Sequence, residues 1–518
     1  MKKSGASIVL LFILLLLIIN ALIINTAYKA IFTFFREIAP TPYFQITTDI
    51  LSVLLASLVV FTSVVIILER RDPARTLAWL LILIFIPVLG FILYLTVGRH
   101  FRKRRLTAKK RKMNGYFYPQ EGSFSEVISK HEIIHKSKER LMQLIMNNSS
   151  FPVTLYNDLK VLSDGEQIFS AMVEAMESAK KLIHLETYIL RSDNIGTRII
   201  EILLRKAAEG VDVRVIYDGL GSRNLGEGYL QSLRDAGVNI RPFFPVRFSF
   251  LHNRINYRNH RKILVVDNEI GFLGGVNIGD EYLGLDPQIG NWRDTHLRIN
   301  GNAVCYLDHI FLQDWFFVMR EPSQDEFPCP LENRPGNKLV QIAASGPDTH
   351  WESIMQIYYY AIATAEKSIF LTSPYFIPNE SILTAFKTAA LSGVDVKLLL
   401  PANPDHKILF WAAMSYLEEL LEAGVEIYLY QKGFIHAKVL TIDGIFSSVG
   451  SANMDQRSFK LNFEVNALLY DEETTKRLET DFWNDLQYCE QIILENFKER
   501  PLTRRVLESA TRLLSPLL

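Results

Sequence analysis

The sequence predicts an α/β protein: two similar α/β domains related by a pseudo-two-fold axis, preceded by N-terminal transmembrane helices. Three observations carry this expectation. Long apolar runs fill the first hundred residues, strand-like segments alternate with helical ones from about Tyr156 onward, and the order of those segments occurs twice. Strands separated by helical stretches of about ten to fifteen residues point to α/β units with a largely parallel sheet. Two copies in one order point to two related domains, and the repeat is too long to be a solenoid unit.

The leader comes first. Ile8 to Ile24, Ile50 to Leu68 and Leu77 to Val97 are apolar, the last interrupted by Pro87 and Gly90. Each is about long enough for a hydrocarbon core of roughly 30 Å. Met1-Lys2-Lys3 resembles the start of a cleaved signal peptide, yet no clean small-residue cleavage site follows and two further runs come after it. An uncleaved anchor over residues 1–98 is therefore expected. Residues 99–150 form a basic juxtamembrane linker. Gly98 to Lys112 holds nine Lys or Arg and no acid, a cluster that stays on the cytoplasmic side and attracts anionic headgroups. Lys2 and Lys3 favour the same side, and three full crossings cannot satisfy both ends. Either the N-terminus is outside or the third segment, with its Pro and Gly, is re-entrant. The larger cluster places the main domains on the cytoplasmic face.

Composition narrows the classes. The 518 residues carry 56 basic and 56 acidic side chains, so no global field points to nucleic acid. Cys305, Cys329 and Cys489 are widely spaced and odd in number. That pattern disfavours a zinc cluster or a disulfide framework and fits a reducing compartment.

The repeat occupies residues 151–335 and 336–498. "KLIHLETYIL" from Lys181 matches "KSIFLTSPYFIP" from Lys367, "GVDVRVIYDG" from Gly210 matches "GVDVKLLLPAN" from Gly393, and "AGVNIRPF" from Ala236 matches "AGVEIYLY" from Ala423. Each half then reaches a strand with one skeleton, "NHRKILVVD" (Asn259 to Asp267) and "IHAKVLTID" (Ile435 to Asp443). A glycine turn with Asn follows, "GGVN" to Asn277 and "GSAN" to Asn453, 17 residues after the histidine in both.

Residues two apart in a strand share a face, so His260 should project with Lys262 and His436 with Lys438. Asp267 and Asp443 have the opposite parity and are better placed to orient or pair. Two imidazoles and two ammoniums suit a phosphodiester. One imidazole can attack phosphorus while the other protonates the leaving oxygen and later deprotonates the incoming hydroxyl. The lysines, with Asn277, Asn453 and Ser451, would hold the non-bridging oxygens. An acid opens a later strand in each half, Asp294 in "NWRDTHLRI" and Glu464 in "LNFEVNALL", and these are the expected partners of the other imidazole nitrogens. No carboxylate or cysteine cluster has metal-ligand spacing, so no metal and no cofactor are expected.

The doubled His-x-Lys-x4-Asp pattern with its Gly-Ser/Gly-x-Asn turn resembles the HKD motif of the phospholipase D superfamily. "TSPYFIP", "GNWRDTHLRI", "ASGPD", "FIHAKV" and the leader segment "ARTLAWLLILIFIPVLGFILYLTVGR" are similar to its bacterial cardiolipin synthase branch. The resemblance runs from about Asp49 through almost the whole chain. It implies two phospholipase D-like domains in a bacterial membrane and catalytic roles for His260, Lys262, Asp267, His436, Lys438 and Asp443. It also implies a reversible phosphatidyl transfer between two phosphatidylglycerol molecules that gives cardiolipin and glycerol through a phosphatidyl-histidine. The resemblance assigns His260 as the nucleophile and His436 as the acid and base, an order that the symmetry of the repeat itself leaves open. A hydrolase or a transferase to another alcohol is the alternative reading; phosphatidylglycerol and anionic membrane lipid are the expected partners, and nucleic acid is not. The sequence leaves the oligomeric state open.

Two departures and two further segments stand out. The leader carries Ile8 to Ile24 ahead of the family's usual two runs, and Gly274-Gly275 stands where many members have Gly-Ser, leaving Ser451 without a hydroxyl counterpart. From the alanine of the Ala-Gly-Val marker to the histidine there are 24 residues in the first half and 13 in the second. The longer stretch, "RPFFPVRFSFLHNRINYRN", alternates aromatics with arginines and is expected to hold acyl chains and phosphates at the interface. In the tail, residues 499–518, Leu502, Val506, Ala510, Leu513 and Leu517 share one helical face, which either lies in the membrane surface or docks on the protein.

Overall fold

A computed structural model describes residues 42–69, 73–95, 136–149, 151–245, 256–320 and 336–515. The chain divides into two compact units, residues 1–104 with 248–253, and residues 105–247 with 254–518.

In the first unit three helices are described: α1 (Pro42–Leu68), α2 (Pro73–Phe85) and α3 (Pro87–Leu93). Val59 and Ile66 of α1 pack with Leu83 and Tyr94, and Trp79 meets Tyr94 edge to face at 5.7 Å. The third apolar run is broken at Ile86, because Pro87 offers no N–H to continue the ladder, and leaves helices of 13 and 7 residues. The first run, Ile8 to Ile24, and the basic cluster lie outside the described residues. The expected transmembrane helices are not established, since no helix among the described residues is long and apolar enough to cross a membrane. The nearest to one is α1, with 27 residues and exposed Ile50, Val53, Leu54 and Phe61.

The second unit holds the repeat. In the first half, strands Asn239–Phe243, Asp212–Asp218, Leu182–Thr187, Ile263–Val266, Ile270–Gly274 and Asn291–Gly301 lie side by side in that order. The first two joins are parallel and the next three antiparallel. In the second half, Glu426–Tyr430, Asp395–Pro401, Ser368–Thr372, Val439–Ile442, Phe446–Gly450 and Asn462–Leu469 repeat the order and every direction. The expected largely parallel sheet is therefore corrected to a mixed one. The cause is local: Asp267 (φ 53°) and Asn268 (φ 58°), and likewise Asp443 (φ 56°) and Gly444 (φ 70°), are left-handed pairs that fold the chain straight back into a hairpin.

The halves are joined by their opening strands. Val153–Asp164 pairs with Asn291–Gly301, Lys338–Ser345 pairs with Asn462–Leu469, and the two pair antiparallel with each other, Val153 opposite Gln341. One hydrophobic cluster accordingly mixes Ile263, Val265, Leu297 and Ile299 with Val340, Val439, Val449 and Val465. Burial of this shared layer is a dominant stabilising term, so the halves are continuous rather than separable. Cys305 is disulfide-bonded and Cys489 is free, which revises the expectation of thiols alone.

Candidate active site

The residues before each histidine are grafted onto the other half. Arg258–Asn259 forms a short parallel ladder with Asn462 and Phe463, and Gly433–Ile435 forms one with Asn291 to Arg293. The backbone N–H of His260 then donates to the Phe463 carbonyl at 2.9 Å, and that of His436 to the Arg293 carbonyl at 2.7 Å. The next residue of each host strand is an acid. His260 Nδ1 consequently lies 3.0 and 3.1 Å from the two carboxylate oxygens of Glu464, and His436 Nδ1 lies 2.8 Å from Asp294 Oδ2. The expected orienters are the ones used, but each serves the histidine of the opposite half.

Both acids are fully buried, and the histidine side chains are 12% and 8% exposed. Burial alone would push the Glu464 carboxyl up, but His260, Lys262 and the Ser451 hydroxyl outweigh it and hold it below its ordinary value. Asp294 is likewise held down against burial by His436, Lys438 and His296. Ionised acids of this kind fix the Nδ1–H tautomer and leave Nε2 for chemistry. The supporting hydrogen bonds differ. Glu464 accepts from Ser451 Oγ at 2.5 Å and Asn462 Nδ2 at 3.2 Å, whereas Asp294 accepts from the Thr295 amide at 2.8 Å and Trp292 Nε1 at 3.3 Å. A Cβ on Gly275 would fall 2.0 Å from Asp294 Oδ1. The glycine–glycine turn thus makes room for the shorter acid, and an indole stands in for the missing serine.

Lys262 Nζ donates to the His260 carbonyl at 2.7 Å, and Lys438 makes the same contact with the carbonyl of His436. Burial, with Lys438 repelling it across the site, lowers Lys262 to about 7, and burial, only partly offset by Asp294 and Glu464, lowers Lys438 to about 8. Burial and Lys438 bring His436 down to about 3, and burial also lowers His260. Each histidine feels both ammoniums, so the four groups face one another. Aromatic rings wall them in: Tyr188 lies 5.2 Å from the His260 ring, and Trp292 5.1 Å from that of His436.

Other expected residues are placed differently. Asp267 accepts the backbone N–H groups of Lys180, Lys181 and Leu182 at 2.7–2.9 Å, and Asp443 those of Glu366, Lys367 and Ser368 at 2.7–3.2 Å. They tie down the hairpin turn at the far end of the motif strand and touch neither imidazole, which corrects their expected catalytic role. Ser451 serves Glu464 rather than an open oxyanion position. Asn277 accepts from the Ile189 N–H and donates to Tyr282 Oη at 2.8 Å. Asn453 keeps a buried side-chain oxygen without a partner. In the aromatic–arginine stretch, Phe243 and Phe244 are core, packed with Phe317 and Phe463, and Arg258 pairs with buried Asp218 at 3.3 Å; residues 246–255 lie outside the described set.

Sequence reasoning missed Arg261. Its guanidinium contacts Asp314 in helix α4 (Ala303–Met319), and it donates to the carbonyls of Glu464 at 3.2 Å and Ser345 at 3.4 Å. It therefore ties the first motif to the strand carrying the acid for His260. Alternation gave the clue: between His260 and Lys262 it must point inward, and a buried cation must find partners. Trp292, two residues before Asp294, was legible in the same way.

A duplicated α/β unit with two crossed histidine–carboxylate pairs and two lysines defines the architecture of the phospholipase D superfamily. The family model for a cardiolipin synthase, PLD-like domain, matches residues 172–315 and 358–486, and one for a phospholipase D-nuclease N-terminal region matches 57–99. This chain belongs to the cardiolipin synthase family with PLD-like domains. It is 49% identical to a cardiolipin synthase of Geobacillus sp. (strain WCH70), covering 90% of this chain and 94% of that one. It is 42% identical to the major cardiolipin synthase ClsA of Bacillus subtilis (strain 168), covering 90% and 98%. Among solved structures, a phosphatidylserine synthase from Haemophilus influenzae Rd KW20 superposes with a TM-score of 0.57 at 16% identity, over 74% of this chain and all of that one; that likeness concerns the fold.

Proposed function

We propose that this chain is a phosphatidyltransferase that joins two phosphatidylglycerol molecules into cardiolipin and releases glycerol. The observation that carries the reading is the crossed pairing of His260 with Glu464 and His436 with Asp294. It turns two distant motifs into one site with two neutral imidazoles and two cations.

His260 Nε2 attacks phosphorus of the first lipid, forming a phosphorus–nitrogen bond. The bond to the headgroup glycerol oxygen breaks, and that oxygen takes a proton from His436. The headgroup hydroxyl of the second lipid then gives its proton to His436 and attacks the phosphohistidine, so cardiolipin leaves and both imidazoles return to their first state. Burial and the lysines lower both histidines in the free site, which suits a nucleophile. The anionic phosphodiester offsets the ammoniums and favours protonation of the acid. Lys262 and Lys438 hold the non-bridging oxygens, with Asn453 and Asn277 beside them, and Ser451 and Trp292 position the acids.

The reading includes a membrane anchor in residues 1–98, supported by the uncharged run Ile50 to Leu68 in α1, and places residues 151–335 and 336–498 on the cytoplasmic face. Incubation of the purified protein with phosphatidylglycerol alone, followed by lipid mass spectrometry, tests it. Cardiolipin and glycerol in equal amounts are expected. Phosphatidic acid as the main product would instead make water the acceptor. A His260→Ala protein that still formed cardiolipin would refute the two-histidine mechanism, and mapping the trapped phosphatidyl adduct assigns the nucleophile.

A further inference from the structure

The C-terminal helix, α6 (Leu502–Arg512), is attached to the protein by its polar side. It lies along helix α5 (Lys407–Glu422). Glu508 is 1% exposed, accepts a hydrogen bond from Arg504 at 3.0 Å and is ion-paired with Arg500 at 3.2 Å. Arg500 and Arg505 also reach Glu418, at 3.2 and 3.7 Å, and Arg512 reaches Glu419 at 2.9 Å while stacking 4.2 Å over Tyr416. Beyond the helix, Ser515 Oγ bonds Tyr416 Oη at 2.9 Å. This network fixes the rotation of the helix, and its consequence is unusual. The apolar stripe faces outward: Leu502 is 74% exposed, Val506 59% and Leu513 82%. An amphipathic helix of a water-soluble surface turns that stripe inward.

We propose that this outward stripe is a docking face for an anionic lipid bilayer, holding the catalytic unit against the surface that contains its substrate. This rests on the reading that the substrate is a membrane lipid. Charge favours that occupant over a second copy of the chain. Arg504, Arg505 and Arg512 remain 41–47% exposed, whereas Glu508 is 2% exposed and Glu418 and Glu419 lie beneath at 27% and 30%. The outermost charges are therefore positive. They complement phosphodiester headgroups, but would meet like charges across a symmetric self-contact. A rim of arginine around aliphatic side chains suits the boundary between headgroups and acyl chains.

The test places a nitroxide, one at a time, on Val506→Cys, Leu513→Cys and, as an aqueous reference, Glu473→Cys, whose native side chain is 85% exposed. The full chain carries Cys489→Ser and is reconstituted in phosphatidylglycerol vesicles. Labels at 506 and 513 should be relaxed more by oxygen than by an aqueous nickel chelate, the reverse of the reference. Nickel accessibility equal to the reference overturns the proposal. So does protection from both relaxers together with spin–spin coupling between chains, which marks a second copy. The readout needs no turnover, so it stands apart from any failure of the catalytic reading.

Discussion

A single methyl group at Gly275 should disable the site. The added Cβ of Gly275→Ala would lie 2.0 Å from Asp294 Oδ1 and 2.7 Å from its Cγ. Non-bonded heavy atoms settle at roughly 3.5 Å, so the carboxylate must withdraw by about 1.5 Å. The neighbours on its other side are the Trp292 indole and the His436 ring, both buried. A hydrogen bond of 2.8 Å lengthened by even ~0.8 Å is no longer one. His436 then loses the group that sets its tautomer and stabilises its protonated form. Disturbing the acid of a comparable His–carboxylate pair lowers kcat about 10⁴-fold, equivalent to roughly 5 kcal/mol of transition-state stabilisation. The assay is conversion of phosphatidylglycerol to cardiolipin under saturating lipid, beside thermal unfolding to confirm the fold. Ser451→Gly gives the contrast, because it removes one hydrogen bond from Glu464 without a collision and should cost only about tenfold, in line with a bond to a charged group. A folded Gly275→Ala protein within tenfold of the parent would refute the argument that room for Asp294 is why glycine stands there.

Glu464→Gln keeps the shape but removes the charge facing His260, and should lower kcat by about 10³–10⁴ with little change in KM, measured by initial rates over a lipid concentration series. Asp267→Ala takes the acceptor from three backbone N–H groups at a left-handed residue; the melting temperature should fall, by ~2–3 kcal/mol of stability, while turnover per folded molecule stays within about threefold. A catalytic aspartate would give the opposite pattern. With Lys262 at about 7 and Lys438 at about 8, kcat/KM should decline as pH rises through about 7 to 8 and beyond, because the ammonium forms are lost through their folded-state values. The stability contribution has the other sign. A lysine depressed below its unfolded value binds fewer protons when folded, so its destabilising effect is relieved between the folded and unfolded values, and the melting temperature should not follow activity downward over that window.

Much of the chemistry was written locally. The doubled His-x-Lys spacing, the equal interval to Asn277 and Asn453, and the acids opening later strands named His260, Lys262, His436, Lys438, Asp294 and Glu464 without any coordinates. Such patterns are legible because side-chain direction repeats along a strand, and because one duplicated order implies one duplicated fold. Parity placed Asp267 and Asp443 off the ligand face, whereas the resemblance assigned them to catalysis; the turn cue was present as well, since an aspartate followed by Asn268 or Gly444 is turn chemistry as well as motif chemistry.

Which partner each acid takes could not be read from the chain. His260 and Glu464 are 204 residues apart, and His436 and Asp294 are 142 apart; their pairing follows from parallel ladders between halves, which no local spacing encodes. The room at Gly275 and the ties made by Arg261 arise from the same registers. The tail illustrates the division most simply. Periodicity determined that α6 has an apolar stripe, and only the salt bridges to α5 decided that it points outward, because a helix's orientation is set by what its other face can bind.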